Sequence, residues 1–221
     1  MTAASAWRAL APPLRRLFVA LAAFALPAAG CADFFVESEV VELENPKLFG
    51  GGIVSFQYPS NWTATEEVTR DPGGLSVRIE VESPGFASMD IHLQWPREEM
   101  TPTRYFSYYV TPSDSAADAI LDGAETADLG PDFGKLQKIT MDIAGKRCAG
   151  VRCKSYFRFW GMKATFYEYL FKMEDADYSL FLWARAPKRN WKVVSEGFLL
   201  IYDTVTVNLD VNIPAEPEGE A

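Results

Sequence analysis

Two stretches of this chain alternate apolar and polar residues with period two, and they constrain what the rest can become. Residues 75–81 read L-S-V-R-I-E-V and residues 89–95 read M-D-I-H-L-Q-W. Successive side chains of a strand point to opposite faces, so each run presents one apolar and one polar face. A helix would scatter both patterns around its circumference. These are strands, and further β-rich runs at 53–58, 62–68, 136–143, 151–160, 164–172 and 178–184 extend the reading. Pro59-Ser60-Asn61 and Asp71-Pro72-Gly73-Gly74 supply turns between them. Strands of this kind need helices to cover them. Thr101-Pro102 and Thr111-Pro112 each place a capping hydroxyl before a proline at the first helical position, which predicts helices over 102–110 and 112–122. Asn190 stands where it would cap a closing helix whose Trp191, Val194, Phe198 and Ile201 share one face. A short strand over 204–209 follows. The expected fold class is α+β, an antiparallel β-sheet flanked by α-helices in a single domain.

The first 30 residues read differently. A basic, acid-free segment ending in Arg15-Arg16 precedes the apolar run LFVALAAFAL at 17–26, then Pro27 and three small residues before Cys31. Such a run rises about 15–20 Å as a helix, short of a ~30 Å hydrocarbon core, which is the geometry of a signal peptide. Ala28-Ala29-Gly30-Cys31 resembles a bacterial lipobox, departing from it in carrying Ala28 where leucine is usual. The expectation is a lipoprotein signal peptide over 1–30 and lipidation (palmitate among the acyl chains) of Cys31, the membrane partner being reached through that lipid. The alternative is an ordinary secretory cut nearby. Arg15-Arg16-Leu17-Phe18 also looks like part of a twin-arginine export signal.

Behind Cys31, residues 31–49 are expected to form an acidic tether, with 36–43 able to serve as an edge strand. The domain proper is expected over 50–207, and 208–221 as a disordered acidic tail. Acidic residues number 30 against 21 basic ones. Removing the leader takes away Arg8, Arg15 and Arg16, leaving 18 basic residues and a net charge of −12. Phosphate backbones need concentrated Lys and Arg, so nucleic acid is disfavoured as a partner.

Phe56-Gln57-Tyr58-Pro59 followed by Trp62 resembles the opening of PsbP-like and DcrB-like domains, and Trp191 at the head of the closing helix resembles their end. Tyr202-Asp203-Thr204-Val205 departs from the pattern, standing where that superfamily carries Ser-Phe. The resemblance spans roughly residues 50–207 and implies an antiparallel sheet flanked by helices. It implies a structural role for Phe56, Tyr58, Pro59, Trp62 and Trp191, locking a turn against the core. Family members are mostly accessory or assembly proteins without catalysis, many exported bacterial ones are lipoproteins, and photosynthetic relatives assist photosystem II on its lumenal side.

Chemistry-bearing motifs are few. His92 is the chain's single histidine and falls on the polar face of its strand with Asp90 and Gln94, which predicts a surface imidazole. One histidine excludes two-histidine metal sites within the chain, and no nucleophile elbow, phosphate loop or H-E-x-x-H motif is present. No cofactor or metal is expected. Cys148 and Cys153 favour a disulfide in an oxidising envelope, with two buried or free thiols as the alternative. One uninterrupted strand would put them on opposite faces, so a bridge needs a turn or bulge at Ala149-Gly150. Aromatics fill both faces of the runs 156–160 and 166–171, which predicts a helical layer over each face; the functional alternative is an exposed aromatic groove. The function expected from all this is a non-catalytic envelope lipoprotein that binds or helps assemble another envelope component. The alternatives are a carboxylate-based envelope hydrolase and a small-molecule carrier.

Overall fold

The computed structural model describes residues 40–50, 52–110, 126–127, 133–159 and 162–210. The leader with Cys31, the helix expected over 112–122 and the end of the acidic tail lie outside the described residues. The elements run β1 (Lys47–Phe49), β2 (Val54–Tyr58), β3 (Thr63–Asp71), β4 (Gly74–Glu82), β5 (Ser88–Trp95), α1 (Pro102–Val110), β6 (Thr126–Ala127), β7 (Leu136–Ile143), β8 (Lys146–Phe159), β9 (Met162–Glu174), β10 (Ser179–Pro187), α2 (Trp191–Thr204) and β11 (Thr206–Val207). The α+β class with an antiparallel sheet and flanking helices is what the chain adopts. The described strands make an eight-stranded sheet ordered β3-β4-β5-β10-β9-β8-β7-β6 and a three-stranded one ordered β1-β2-β11.

Register follows the alternation seen in the sequence. Val77 faces Leu93 and Ile79 faces Ile91 across β4 and β5. Leu180, Leu182 and Ala184 of β10 join them on the same side. Helix α2 closes this face with Val194, Phe198, Ile201 and Tyr202, all buried. Full burial of each such apolar side chain contributes about 1.5–3 kcal/mol. Trp62 meets Phe198 edge-on at 5.3 Å between ring centroids, and its backbone N–H donates to the Pro59 carbonyl at 3.0 Å. Gly197 is what lets α2 come this close, because a Cβ there would stand 2.8 Å from Trp62 and 2.9 Å from Pro59. Phe56 stacks on Phe49 at 5.0 Å beneath Tyr58.

The opposite face carries a second core: Tyr105 and Phe106 of α1 on Leu136, Val151, Cys153, Leu170 and Phe181. Each face of the sheet thus carries a helix, but the cover stops short of the whole aromatic runs: Leu170 and Phe171 are buried, whereas Phe157 is exposed and Tyr156, Tyr167 and Tyr169 are only half-buried. Thr101 caps α1, its Oγ1 accepting from the Arg104 N–H at 3.2 Å. Asn190 differs from expectation. It occupies the cap position of α2 with φ −91° and ψ −9°, so its side chain makes no capping hydrogen bond; its carbonyl instead accepts from Val193 and Val194. The expected edge strand over 36–43 is not formed at 40–43, where the chain is irregular; pairing begins at β1.

The expected Cys148–Cys153 disulfide requires correction. Both cysteines are free and buried. They lie on β8, whose register with β7 runs without a bulge from Lys146 opposite Ile143 to Arg152 opposite Gln137. Five strand residues span about 16 Å, whereas bridged cysteines need Cα atoms within about 7 Å. Their odd spacing sends Cys148 to the α2 side and Cys153 to the α1 side. Gly150, which had been available for a bulge, serves another purpose: any Cβ there would collide with the Phe171 ring and the Leu170 carbonyl.

Candidate functional site

Half of each alternating strand is polar, and in β4, β5 and β10 those polar positions fall on the face that carries α1, as do Glu168 and Lys172 of β9. The aromatic anchor of α1, Tyr105, stacks on Phe181 at 4.0 Å and roofs this face. His92, expected at the surface, is therefore buried at 9% exposure. Its Nε2 lies 2.8 Å from Ser76 Oγ and its Nδ1 2.9 Å from Tyr105 Oη. Burial, reinforced by the charge of Arg78 and opposed by Asp90, lowers the imidazole pKa and keeps the ring neutral at pH 7. Beside it Arg78 donates to Asp90 Oδ1 at 3.0 Å, the carboxylate lying at the buried end and the guanidinium toward solvent. Asp90, His92, Tyr105 and Arg78 line an open cavity of about 240 Å³ with Glu67 and Trp183.

Further along the same face sits Glu168, 1% exposed. Ser155 Oγ donates to one carboxylate oxygen, and Trp183 Nε1 donates to the other at 2.9 Å. Burial raises the carboxyl pKa; the hydrogen bond from Ser155, the charge of Arg185 and the Trp183 indole act against that rise. Arg185 lies 5.7 Å from the Trp183 ring.

Two arrangements here invite a chemical test. Ser76 and His92 stand at the separation of a nucleophile and its base, with Tyr105 in the orienting position. Ser76, however, is on an interior strand, paired with Thr69 on one side and Gln94 on the other, so the ladder occupies the backbone N–H groups that an oxyanion hole would need. Asp90 and Glu168 share a face but do not face each other. β10 runs between them, with Trp183 opposite Asp90 and Arg185 opposite Glu168. Asp90 is committed to Arg78, and Glu168 to Ser155 and Trp183. Neither arrangement supports the carboxylate-based hydrolase. None of the described cavities is the enclosed apolar kind that a carrier burying its cargo between sheet and helices would need, since each opens to solvent and is lined in part by charged residues.

A second surface lies on the α2 side of β7, β8 and β9, a groove of about 530 Å³. Tyr167 and Tyr169 form part of its floor, and Trp191 packs on both, stacked on Tyr169 at 4.4 Å. Trp191 thus anchors α2 at the rim of the groove. Sequence reasoning foresaw an aromatic groove only as an alternative to core packing, and missed the polar row under α1. The signal for that row was present: a β4–β5 hairpin necessarily places Arg78 opposite His92 and Glu80 opposite Asp90. Among the described residues no helix is long and apolar enough to cross a membrane, and no cluster of potential metal ligands occurs.

No protein-family model matches the sequence, and no curated protein matches it. Among solved structures the chain is similar to cyanobacterial PsbP (CyanoP) from Synechocystis, at 10% identity and a TM-score of 0.42, over 82% of this chain and 99% of that one. It is also similar to LpqN, involved in cell envelope biogenesis of Mycobacterium tuberculosis, at 12% identity and a TM-score of 0.33, over 74% of this chain and 91% of that one. A Bacteroides thetaiotaomicron crystal structure matches at 12% identity and a TM-score of 0.40 over 78% of this chain, which spans 50% of that protein.

Proposed function

We propose that this chain is an exported, lipid-anchored binding or accessory protein without catalytic activity, held on a membrane through Cys31. One observation carries the non-catalytic half. The buried Asp90, His92 and Glu168 of the α1 face are each engaged with side chains inside the fold: Asp90 with Arg78, His92 with Ser76 and Tyr105, Glu168 with Ser155 and Trp183. Such satisfied networks fix a shape. The anchor half is supported by the leader's apolar run and the Ala28-Ala29-Gly30-Cys31 sequence.

The anchor is tested by fractionating cells that express Cys31→Ala. The variant is expected in the soluble envelope fraction, and a variant that still sediments with membranes would refute lipidation at Cys31. The accessory role is tested by cross-linking the intact protein in its native envelope. A reproducible protein partner is expected at native expression level; recovery of none would sink the accessory reading.

A further inference from the structure

The groove on the α2 side of β7, β8 and β9 has an electrostatic character opposite to that of the rest of the chain. Among the described residues Lys135, Arg152 and Lys154 line it, and no carboxylate does. All three are exposed. Among the described residues they form no ion pair, whereas Arg97, Lys146, Arg147 and Lys172, which line the cavity of about 560 Å³, are each paired with a carboxylate. In a chain with 30 acidic residues against 21 basic, three converging cations with no counter-charge among the described residues leave room for an anion from outside.

The cations are also positioned against flat rings. The Lys154 ammonium lies 5.9 Å from the centre of the Tyr167 ring. Arg152 Nε donates to Gln137 Oε1 at 3.0 Å, which orients the guanidinium while leaving its remaining N–H groups to bind a planar or tetrahedral anion. Tyr167 and Tyr169, held by Trp191, supply amphipathic faces suited to a ring, with hydroxyls at their edges. The volume falls within the roughly 300–1,000 Å³ typical of small-ligand sites. Length is limited by charge. Beyond about 8 Å at physiological salt the local cations are screened, so the outer charges of a long polyanion would gain little from them.

The geometry points to a binding site for a compact anionic saccharide, a sugar ring carrying a phosphate or carboxylate, at Lys135, Arg152, Lys154, Tyr167 and Tyr169. This deepens the binding role proposed above and rests on it. Arg152 and Lys154 would hold the anionic group, the tyrosine faces would pack against the ring, and Gln137 would share its hydrogen bonds with the ring hydroxyls.

The test is a titration of the purified full chain, carrying isotope-labelled tyrosine, followed by the ring resonances of Tyr167 and Tyr169. Glucose 1-phosphate and glucuronate are the probes; glucose, inorganic phosphate and a single-stranded oligonucleotide are the comparisons. At least one charged sugar is expected to give saturable shifts, with glucose and inorganic phosphate each weaker by about tenfold or more, the loss expected for one charge-assisted contact. R152Q and K154Q, both surface changes, are expected to weaken the charged sugar similarly at an unchanged melting temperature. Absence of saturable shifts with both charged sugars would overturn the proposal. So would glucose or phosphate binding as tightly as glucose 1-phosphate, or the oligonucleotide binding more tightly. Such failures leave the cross-linked partner of the intact protein untouched, so the ligand proposal and the accessory reading fail separately.

Discussion

At the scale of single residues, position on a strand decided more than residue type. Cys148 and Cys153 are five apart, close enough in sequence to suggest a bridge, yet the strand's period of two separates them to opposite sides of the sheet. Burial raises both thiol pKa values, suppressing the thiolate that oxidation requires. In Cys31→Ala protein, both thiols are therefore expected to resist a thiol reagent in native buffer and to react fully in denaturant without prior reduction. A denatured protein that shows no thiol until reductant is added would establish the disulfide after all. His92 shows the same dependence on position. Its place on the polar face was legible in the sequence, but its burial was not, because Tyr105, the residue that covers it, lies 13 positions away on another element.

At the scale of elements, the alternating runs were readable because period two survives any tertiary context. β4 and β5 extend beyond the stretches expected for them by only a residue at most ends. Longer strands were harder to bound. β8 begins at Lys146, five residues before the expected start, because a tight Ala144-Gly145 turn with positive φ at both residues brings it straight back along β7. Helix α2 was legible from its 3, 4, 3 spacing, but Gly197 was not. In a helix, alanine is favoured over glycine by about 1 kcal/mol, so local propensity alone recommends Gly197→Ala. Packing says the reverse, since the new methyl would press on Trp62 and Pro59, and overpacking costs about 1–3 kcal/mol. The packing effect is the larger. Gly197→Ala is expected to lower the urea midpoint, and an unchanged or raised midpoint would show that α2 can shift to accommodate it.

At the scale of the whole molecule, two buried titrating groups tilt stability in opposite directions with pH. His92 has a lowered folded pKa, so the unfolded chain binds the extra proton first. Its contribution is present above the ordinary value of 6.5 and is lost as pH falls through the folded value. Glu168 has a raised folded pKa, so its contribution is present below the ordinary 4.5 and is lost as pH rises through the folded value. Relative to the parent, Glu168→Gln is expected to gain stability progressively as pH rises from 4.5 toward neutrality, read by urea unfolding across that range. Parallel curves for the two proteins would mean that the Glu168 carboxyl titrates normally when folded. The candidate sites were the least legible level of all, because each gathers side chains from three or more elements, and no local pattern records which strands become neighbours. Strand order also sets a timetable. β3, β4 and β5 form one meander and β7, β8 and β9 another, each closed by short-range turns, but β10 lies between β5 and β9 and comes late in the chain. Until residues 179–187 are in place, each meander has an open inner edge. Of the eight strands of this sheet, the one that joins the two halves is the last in chain order, so the seven before it wait for their own keystone.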